Sequence, residues 1–501
     1  MLFNSYIFIF VFLPLALVGY FLLNRAGKYQ EAKFFLVGMS LWFYAYFHLS
    51  YLWIILCSIA VNYACHLLLA RSFYVKWTAA AGILFNIGIL FYFKYFDFVL
   101  ESINSLLHSN FTLSGVLLPL GISFFTFQQV AFLADTAKGL VGRQNFLDYA
   151  LFVTFFPQLI AGPIVSQEEM LPQFRDTSLK SFSVENFYVG LRIFVLGLSK
   201  KVLLADTFGR AVNWGFKFYT VLDGWNTFLV GLFFTLQLYF DFSGYCDMAR
   251  GIGYMFNIRI PVNFLSPYKS VNILEFWDRW HITLTRFFTR YVYIPLGGNR
   301  KGILRTCLNV LLVFCISGIW HGAGWTFIVW GLLHGGLSVM TRLWHEWKHH
   351  LSVTSLWAKF FGRKWVHFVT KKLCTLLTFL FLIVSWMLFR ADTLSQAGVM
   401  LKNMISMSGT HIYTELAVFF QLQEIWGFFR FLDIDLLPYS AYYCMVGITA
   451  VALLLIFCCR NLYEKETTCK PRILDVLCMS VLSVWCVLSL SGVSTFLYFN
   501  F

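Results

Sequence analysis

The stretch SGIWHGAGW, Ser317 to Trp325, sits inside a run of 36 residues, Thr306 to Thr341, that contains no Asp, Glu, Lys or Arg. Arg305 and Arg342 close the run at its two ends. A helix of that length would reach about 54 Å at about 1.5 Å per residue, well beyond the roughly 30 Å apolar core of a bilayer. Gly318, Gly322 and Gly324 crowd around His321 and offer a break near the middle. Two arms then fold back on each other, both arginines emerge on the same side, and His321 lies near the turn. A histidine in such a place either serves chemistry or hydrogen-bonds a neighbouring helix, because an ionisable group in lipid must face protein or water.

The rest of the chain repeats the theme. Of 501 residues, 59% are hydrophobic, 20% are aromatic and only 12% are charged. Apolar runs of about 20 residues recur along the whole length, the pattern of membrane-spanning helices. The sequence therefore predicts an all-α polytopic membrane protein, a single membrane domain over 1–501, with about 11 crossings. Leu118-Pro119-Leu120-Gly121 and Ala161-Gly162-Pro163 predict re-entrant or kinked pieces, which lipid tolerates only where protein covers the freed backbone groups.

Lys+Arg 38 against Asp+Glu 24 gives a net charge of +14. The basic residues gather in short gaps between apolar runs, so positive-inside topology accounts for them and nucleic acid does not. Arg25, Lys28 and Lys33 follow the first run, Arg71 and Lys76 follow the third, and the gap from Glu101 to Asn110 has no Lys or Arg. This alternation puts the N-terminus outside. The first run lacks a basic leader and a clear cleavage site, so it is expected to stay as a helix. Lys470 and Arg472 before the last run put a C-terminal tail, 494–501, on the outer side. The twelve cysteines form no C-x-x-C pair and mostly fall within apolar runs, which reads as packing, with no structural metal and no bound cofactor.

Two polar regions interrupt the series. Residues 342–372 carry seven Lys/Arg, the single acid Glu346 and four tryptophans, a composition suited to a cytoplasmic segment in the headgroup layer. The second region contains a helix expected over 272–292, capped by Asn272 with Glu275 three residues on and ended by Pro295 and Gly297-Gly298. At 100° per residue Arg279, Arg286 and Arg290 form one stripe, with Trp277, His281, Leu284 and Phe288 roughly opposite. Such a helix lies along the interface, its arginines toward headgroups or an anionic ligand. Asp241 and Asp247 end another apolar run, where Asp247 can pair with Arg250 or serve a site. His334 reads as a packing histidine, as do His48 and His66. No G-x-S-x-G elbow, Walker A loop, H-E-x-x-H or G-x-G-x-x-G fingerprint occurs, so soluble hydrolase, ATPase, metalloprotease and dinucleotide chemistry lack support. A histidine in the membrane can still take a proton from a hydroxyl as it attacks an activated acyl group.

FWDRWHITLTRFFTRYVYIPLGGNR (Phe276–Arg300) followed by GIWHGAGWTFIVWGLLHG (Gly318–Gly335) resembles the membrane-bound O-acyltransferases. Tyr239–Tyr268, Phe156–Ile164 and Phe389–Ala397 resemble further blocks of the branch that O-acetylates alginate, peptidoglycan and other surface polysaccharides. The resemblance implies a ring of tilted helices around a thinned centre, where an outer funnel meets a cytoplasmic tunnel. It implies His321 as the essential catalytic residue and His281 as a second important histidine. It also implies acetyl-CoA as donor, a periplasmic or extracellular SGNH-type transferase as partner, and a multi-pass place in the bacterial inner membrane. Arg279, Trp280, Arg286, Arg300 and Lys301, with Trp277, Asp241 and Asp247, are the donor-binding candidates. The tail FLYFNF is similar to an F-x-Y-F ending of related acyl-transfer systems, which marks Tyr498 as a candidate acyl relay; the alternative is an aromatic anchor. D-alanyl transfer to teichoic acid, and a transporter or scaffold without covalent chemistry, are the competing readings.

Overall fold

A computed structural model describes residues 1–350, 363–422, 426–427, 430–431, 439–463, 473–492 and 496–497. The regular structure of those residues is helical, with no β-strand among them and one isolated antiparallel bridge, Phe264 to Trp280. Seven described helices are long and apolar enough to cross a membrane: Phe8–Arg25, Ser50–Ala70, Val75–Leu107, Gly224–Met255, Ile303–His321, Lys364–Arg390 and Ser440–Phe457. Other apolar runs counted toward the expected eleven form shorter helices. Tyr29–Ala45 has 17 residues, and Ile122–Ala137 and Ile473–Leu488 have 16 each. At about 1.5 Å per residue, 16 residues cover about 24 Å, less than a full bilayer core.

The chain forms two compact units: residues 1–199, 242–262 and 469–501 in one, and residues 200–241 and 263–468 in the other. In the first, several buried polar groups find partners inside the protein, as an apolar solvent favours. Asn62 and Asn86 exchange side-chain hydrogen bonds of 3.1 and 2.6 Å between neighbouring helices. Lys33, one of the residues counted as a cytoplasmic charge, is buried against Asp148 at 2.6 Å, and Arg175 meets the other Asp148 oxygen at 2.7 Å. Helix Val184–Ser199 packs on the end of Gly224–Met255 through paired glycines. A Cβ on Gly190 would stand 2.5 Å from the Gly251 carbonyl, and one on Gly197 2.7 Å from that of Gly244. The seven-residue spacing on both helices keeps small residues facing each other, the close approach that membrane helices use. Of the two expected kinked pieces, Leu118–Gly121 is non-helical, and the Leu120 carbonyl accepts a 3.0 Å bond from the Tyr44 hydroxyl. The chain is also non-helical just after Phe156–Leu159, where Ala161, Gly162 and Pro163 are buried.

In the second unit, the expected continuous helix over 272–292 is replaced by two short helices, Ile273–Arg279 and Ile282–Phe288, and a π-helical turn, Thr289–Tyr293. The N-cap is as expected: Asn272 Oδ1 accepts the Glu275 N–H at 2.9 Å, while Glu275 reaches back to the Val271 N–H at 2.8 Å. The break falls at Trp280 and His281. Trp280 is extended and His281 is left-handed, with φ 46°. The cause is a second partner for the backbone: Leu265 N–H bonds to the Arg279 carbonyl at 3.0 Å and Ile282 N–H to the Asn263 carbonyl at 3.1 Å. The 100° wheel does not run through such a break, so the arginine stripe does not hold as one face.

The Lys33–Asp148–Arg175 cluster carries a direct expectation. Asp148→Asn leaves the buried Lys33 ammonium without its counter-charge and is expected to destabilise the protein by about 3–5 kcal/mol. Thermal unfolding of the purified chain in detergent measures this; an unchanged midpoint would show that the cluster is dispensable.

Candidate active site

The site begins with the hairpin. Helix Ile303–His321 ends at His321, Gly322 caps it in an extended conformation, and helix Trp325–His350 starts three residues later. The arms touch backbone to backbone. A Cβ on Gly318 would lie 2.4 Å from the Phe327 carbonyl oxygen, and one on Gly331 2.4 Å from that of Phe314. Only glycine permits this approach, and it draws His321 off the lipid face and into the protein, 5% exposed. Aromatic rings then enclose the imidazole. Trp320 lies 4.9 Å away centroid to centroid, Trp330 stands edge-on at 5.1 Å, and Phe389 at 5.3 Å.

His281 arrives from the helix break. Its Nδ1 is 3.2 Å from Asn263 Oδ1, an oxygen that also accepts from the Thr283 N–H at 3.1 Å and the Thr283 hydroxyl at 2.9 Å. An acceptor so placed assigns the proton to Nδ1 and leaves the lone pair on Nε2. Full burial pushes the His281 imidazole down to about 3, so it is neutral at ordinary pH. The Trp320 ring is 6.2 Å from His281 and 4.9 Å from His321, so both histidines share one tryptophan. The left-handed backbone at His281, rare for a residue with a Cβ, is what turns its ring inward.

A third histidine stands behind them. His334 is fully buried, with Trp330 at 4.7 Å, Phe381 at 5.2 Å, Trp277 at 5.3 Å and Trp386 at 5.9 Å. Neither of its ring nitrogens has a hydrogen-bond partner among the described residues. Trp330, His334, Ser338 and Arg342 recur every four residues and so line one face of their helix. The Ser338 hydroxyl and Arg342 Nε are likewise buried without a partner. Ser338 and Arg342 face a cavity of about 420 Å³, which Trp277, Asp278, Thr285 and Thr289 also line. Arg342 and Asp278 thus give the cavity one basic and one acidic side chain, and Trp277 joins its lining to the tryptophan cage.

The structure thus gathers His321, His281, Trp277 and Trp280 in the second unit. Trp280 packs between Phe264 at 5.0 Å and Trp386 at 5.2 Å. The other candidates stand differently. Arg279 is bonded to Glu275 at 2.7 Å, and Arg286, Arg300 and Lys301 are exposed. Asp241 is engaged by the buried Lys201 ammonium at 2.6 Å, and Lys201 also meets Asp206 at 2.8 Å. Asp247 lies 3.9 Å from Arg250, as its spacing predicts, in the first unit. Tyr498 and most of the 494–501 tail lie outside the described residues, as does part of 342–372. Sequence reasoning missed Ser338 and the inward role of Arg342; their four-residue register with His334 was the available signal.

The apolar, membrane-crossing helices define an integral membrane protein, and comparison gives the family. Residues 84–384 match MBOAT, the membrane-bound O-acyltransferase family, and the chain belongs to it. It is 39% identical to the peptidoglycan O-acetyltransferase of Helicobacter pylori over 100% of this chain and 98% of that protein. It is 36% identical to "Probable alginate O-acetylase AlgI" of Pseudomonas putida, over 81% of this chain and 80% of that one. The teichoic acid D-alanyltransferase of Bacillus subtilis is 29% identical over 46% of this chain and 60% of its own length. The chain is therefore a multi-pass, membrane-bound O-acyltransferase.

The hairpin geometry is testable with a paired substitution. Gly331→Ala forces a Cβ against the Phe314 carbonyl and is expected to destabilise by about 1–3 kcal/mol. Gly336→Ala, where the added carbon meets nothing within 4 Å, should be silent. Thermal midpoints that fall equally in both, or in neither, would contradict the close approach.

Proposed function

We propose that the chain takes acetyl from acetyl-CoA on the cytoplasmic side and delivers it across the bacterial inner membrane for O-acetylation of a cell-surface polysaccharide. The observation that carries this reading is His321 at a protein-enclosed hairpin turn, sharing Trp320 with a neutral His281. The names of the relatives that match along most of the chain support acetyl as the group and a surface polymer as its destination.

In this reading His321 accepts the proton of an attacking hydroxyl while that oxygen bonds to the thioester carbonyl carbon. The carbon–sulfur bond then breaks, and the proton passes from His321 to the departing CoA thiolate. His281, its Nδ1–H held by Asn263, keeps a lone pair at Nε2 as a second proton acceptor. The cavity lined by Ser338 and Arg342 is the proposed seat of the donor's arm. Arg279, Arg286, Arg300 and Lys301 remain proposed partners for its phosphates. Asp241 and Asp247, each ion-paired, are better suited to holding their helix than to meeting an anionic donor. Tyr498 is the proposed first acceptor, and an SGNH-type transferase outside the membrane would move the acetyl on to sugar. The shared region with a D-alanyltransferase keeps the chemistry of acyl transfer but covers less than half of this chain, so acetyl transfer is the favoured reading.

His321→Ala should lower surface acetyl esters by about a hundred-fold or more while the protein reaches the membrane at its usual level. Retained acetylation would favour the transporter or scaffold reading. Tyr498→Phe keeps the ring and removes the hydroxyl; undiminished acetylation in that variant would rule out the relay and leave the His321 assignment standing.

A further inference from the structure

A second cavity, of about 670 Å³, lies in the first unit, along the end of the first candidate span, Phe8–Arg25. Val18, Phe21 and Leu22 form one wall and Phe182 the other, and Val18, Leu22 and Phe182 are more than half exposed. In a helix that crosses the bilayer, such side chains border acyl chains. The inner end of this groove is polar. Asn24, Arg25 and Lys180 line it, and no Asp or Glu does.

Two of these groups are under-served by the protein. Lys180 is 6% exposed, yet its ammonium meets only neutral partners: 3.3 Å bonds to the Tyr20 hydroxyl and the Gln173 carbonyl, and the face of the Tyr20 ring at 5.9 Å. No carboxylate lies within ion-pair distance of it among the described residues. Burial lowers this ammonium to about 8, Lys33 adds to that, and Asp176 and Asp148 oppose it only partly. A buried cation in that state is stabilised by a direct anionic partner. Asn24 is 5% exposed; its Nδ2 donates to the Tyr20 carbonyl at 3.0 Å, while its Oδ1 is buried with no partner. That oxygen calls for a hydroxyl or ammonium donor.

We infer that this groove is a binding site for one anionic glycerophospholipid with a hydroxyl-bearing headgroup, of the phosphatidylglycerol type. The phosphodiester meets Lys180 and Arg25, a headgroup hydroxyl donates to Asn24 Oδ1, and an acyl chain lies against Val18, Phe21, Leu22 and Phe182. The apolar walls select a lipid over a free phosphate. The absence of lining acids selects an anionic headgroup over a zwitterionic one. Arg25 follows the first apolar run at its basic end, so the site falls at headgroup depth, where a phosphate of the bilayer is available. The residues that line this groove all belong to the first unit, and His321 and His281 belong to the second.

The test is native mass spectrometry of the full-length chain in detergent, titrated with phosphatidylglycerol, with phosphatidylcholine of matched chains, or with inorganic phosphate. The wild type should retain one tightly bound phosphatidylglycerol. The double variant Arg25→Gln, Lys180→Gln should retain it about ten-fold less well. Val18→Trp, a change at an exposed position that fills the groove, should displace the same lipid without altering the charges. This second variant keeps the test decisive if burying the glutamines perturbs folding. Equal retention of phosphatidylglycerol in wild type and Val18→Trp, or equal binding of phosphatidylcholine, would overturn the inference. Retention of inorganic phosphate as tight as that of the lipid would equally overturn it.

Discussion

The backbone contact between Gly318 and Gly331 is the constraint on which the rest of the site depends. An imidazole has no place in hydrocarbon, so His321 must be carried at a point where protein surrounds it on every side. Two helices separated by ordinary side chains would leave its ring at a gap between them. Two helices joined through glycine close that gap, and Trp320, Trp330 and Phe389 complete the wall. The same closeness sets Trp330 between His321 and His334, which ties the hairpin's turn to the polar face that leads to Arg342.

The second requirement is met by breaking a helix. A regular helix over 272–292 would present His281 at whatever angle its register dictated. Instead Asn263, Leu265 and Phe264 bind the backbone on both sides of Trp280, and the chain turns through a left-handed residue. Strain of this kind persists only where the surroundings over-determine it, and here Asn263 Oδ1 also fixes the tautomer of the ring. Lys201 is handled differently, its buried ammonium paired with both Asp241 and Asp206.

Much of this was legible in the residues. Arg305 and Arg342 bracketing an uncharged run too long for one crossing predicted the hairpin, and the glycines predicted where it turns. Asn272 predicted a helix start, because capping is a local matter of three residues. What escaped was non-local. His281 bonds to a residue 18 positions away and Lys201 to one 40 positions away, and no periodicity encodes such partners. Lys33 carried the right sign for a cytoplasmic charge but is spent on Asp148. The apolar runs marked a polytopic membrane protein, whereas the length of each helix depends on its packing, as in Ile122–Ala137, whose 16 residues are mostly buried in protein.

The most direct test of the central claim is transfer of isotopically labelled acetyl from acetyl-CoA in sealed inside-out vesicles, where the cytoplasmic face is outward. Protein-bound acetyl is followed in vesicles carrying the wild-type chain and in vesicles carrying His321→Gln at equal abundance. The account predicts label on the wild-type protein and none on the variant. Equal labelling of the two, or labelling only after the vesicles are opened, would contradict it.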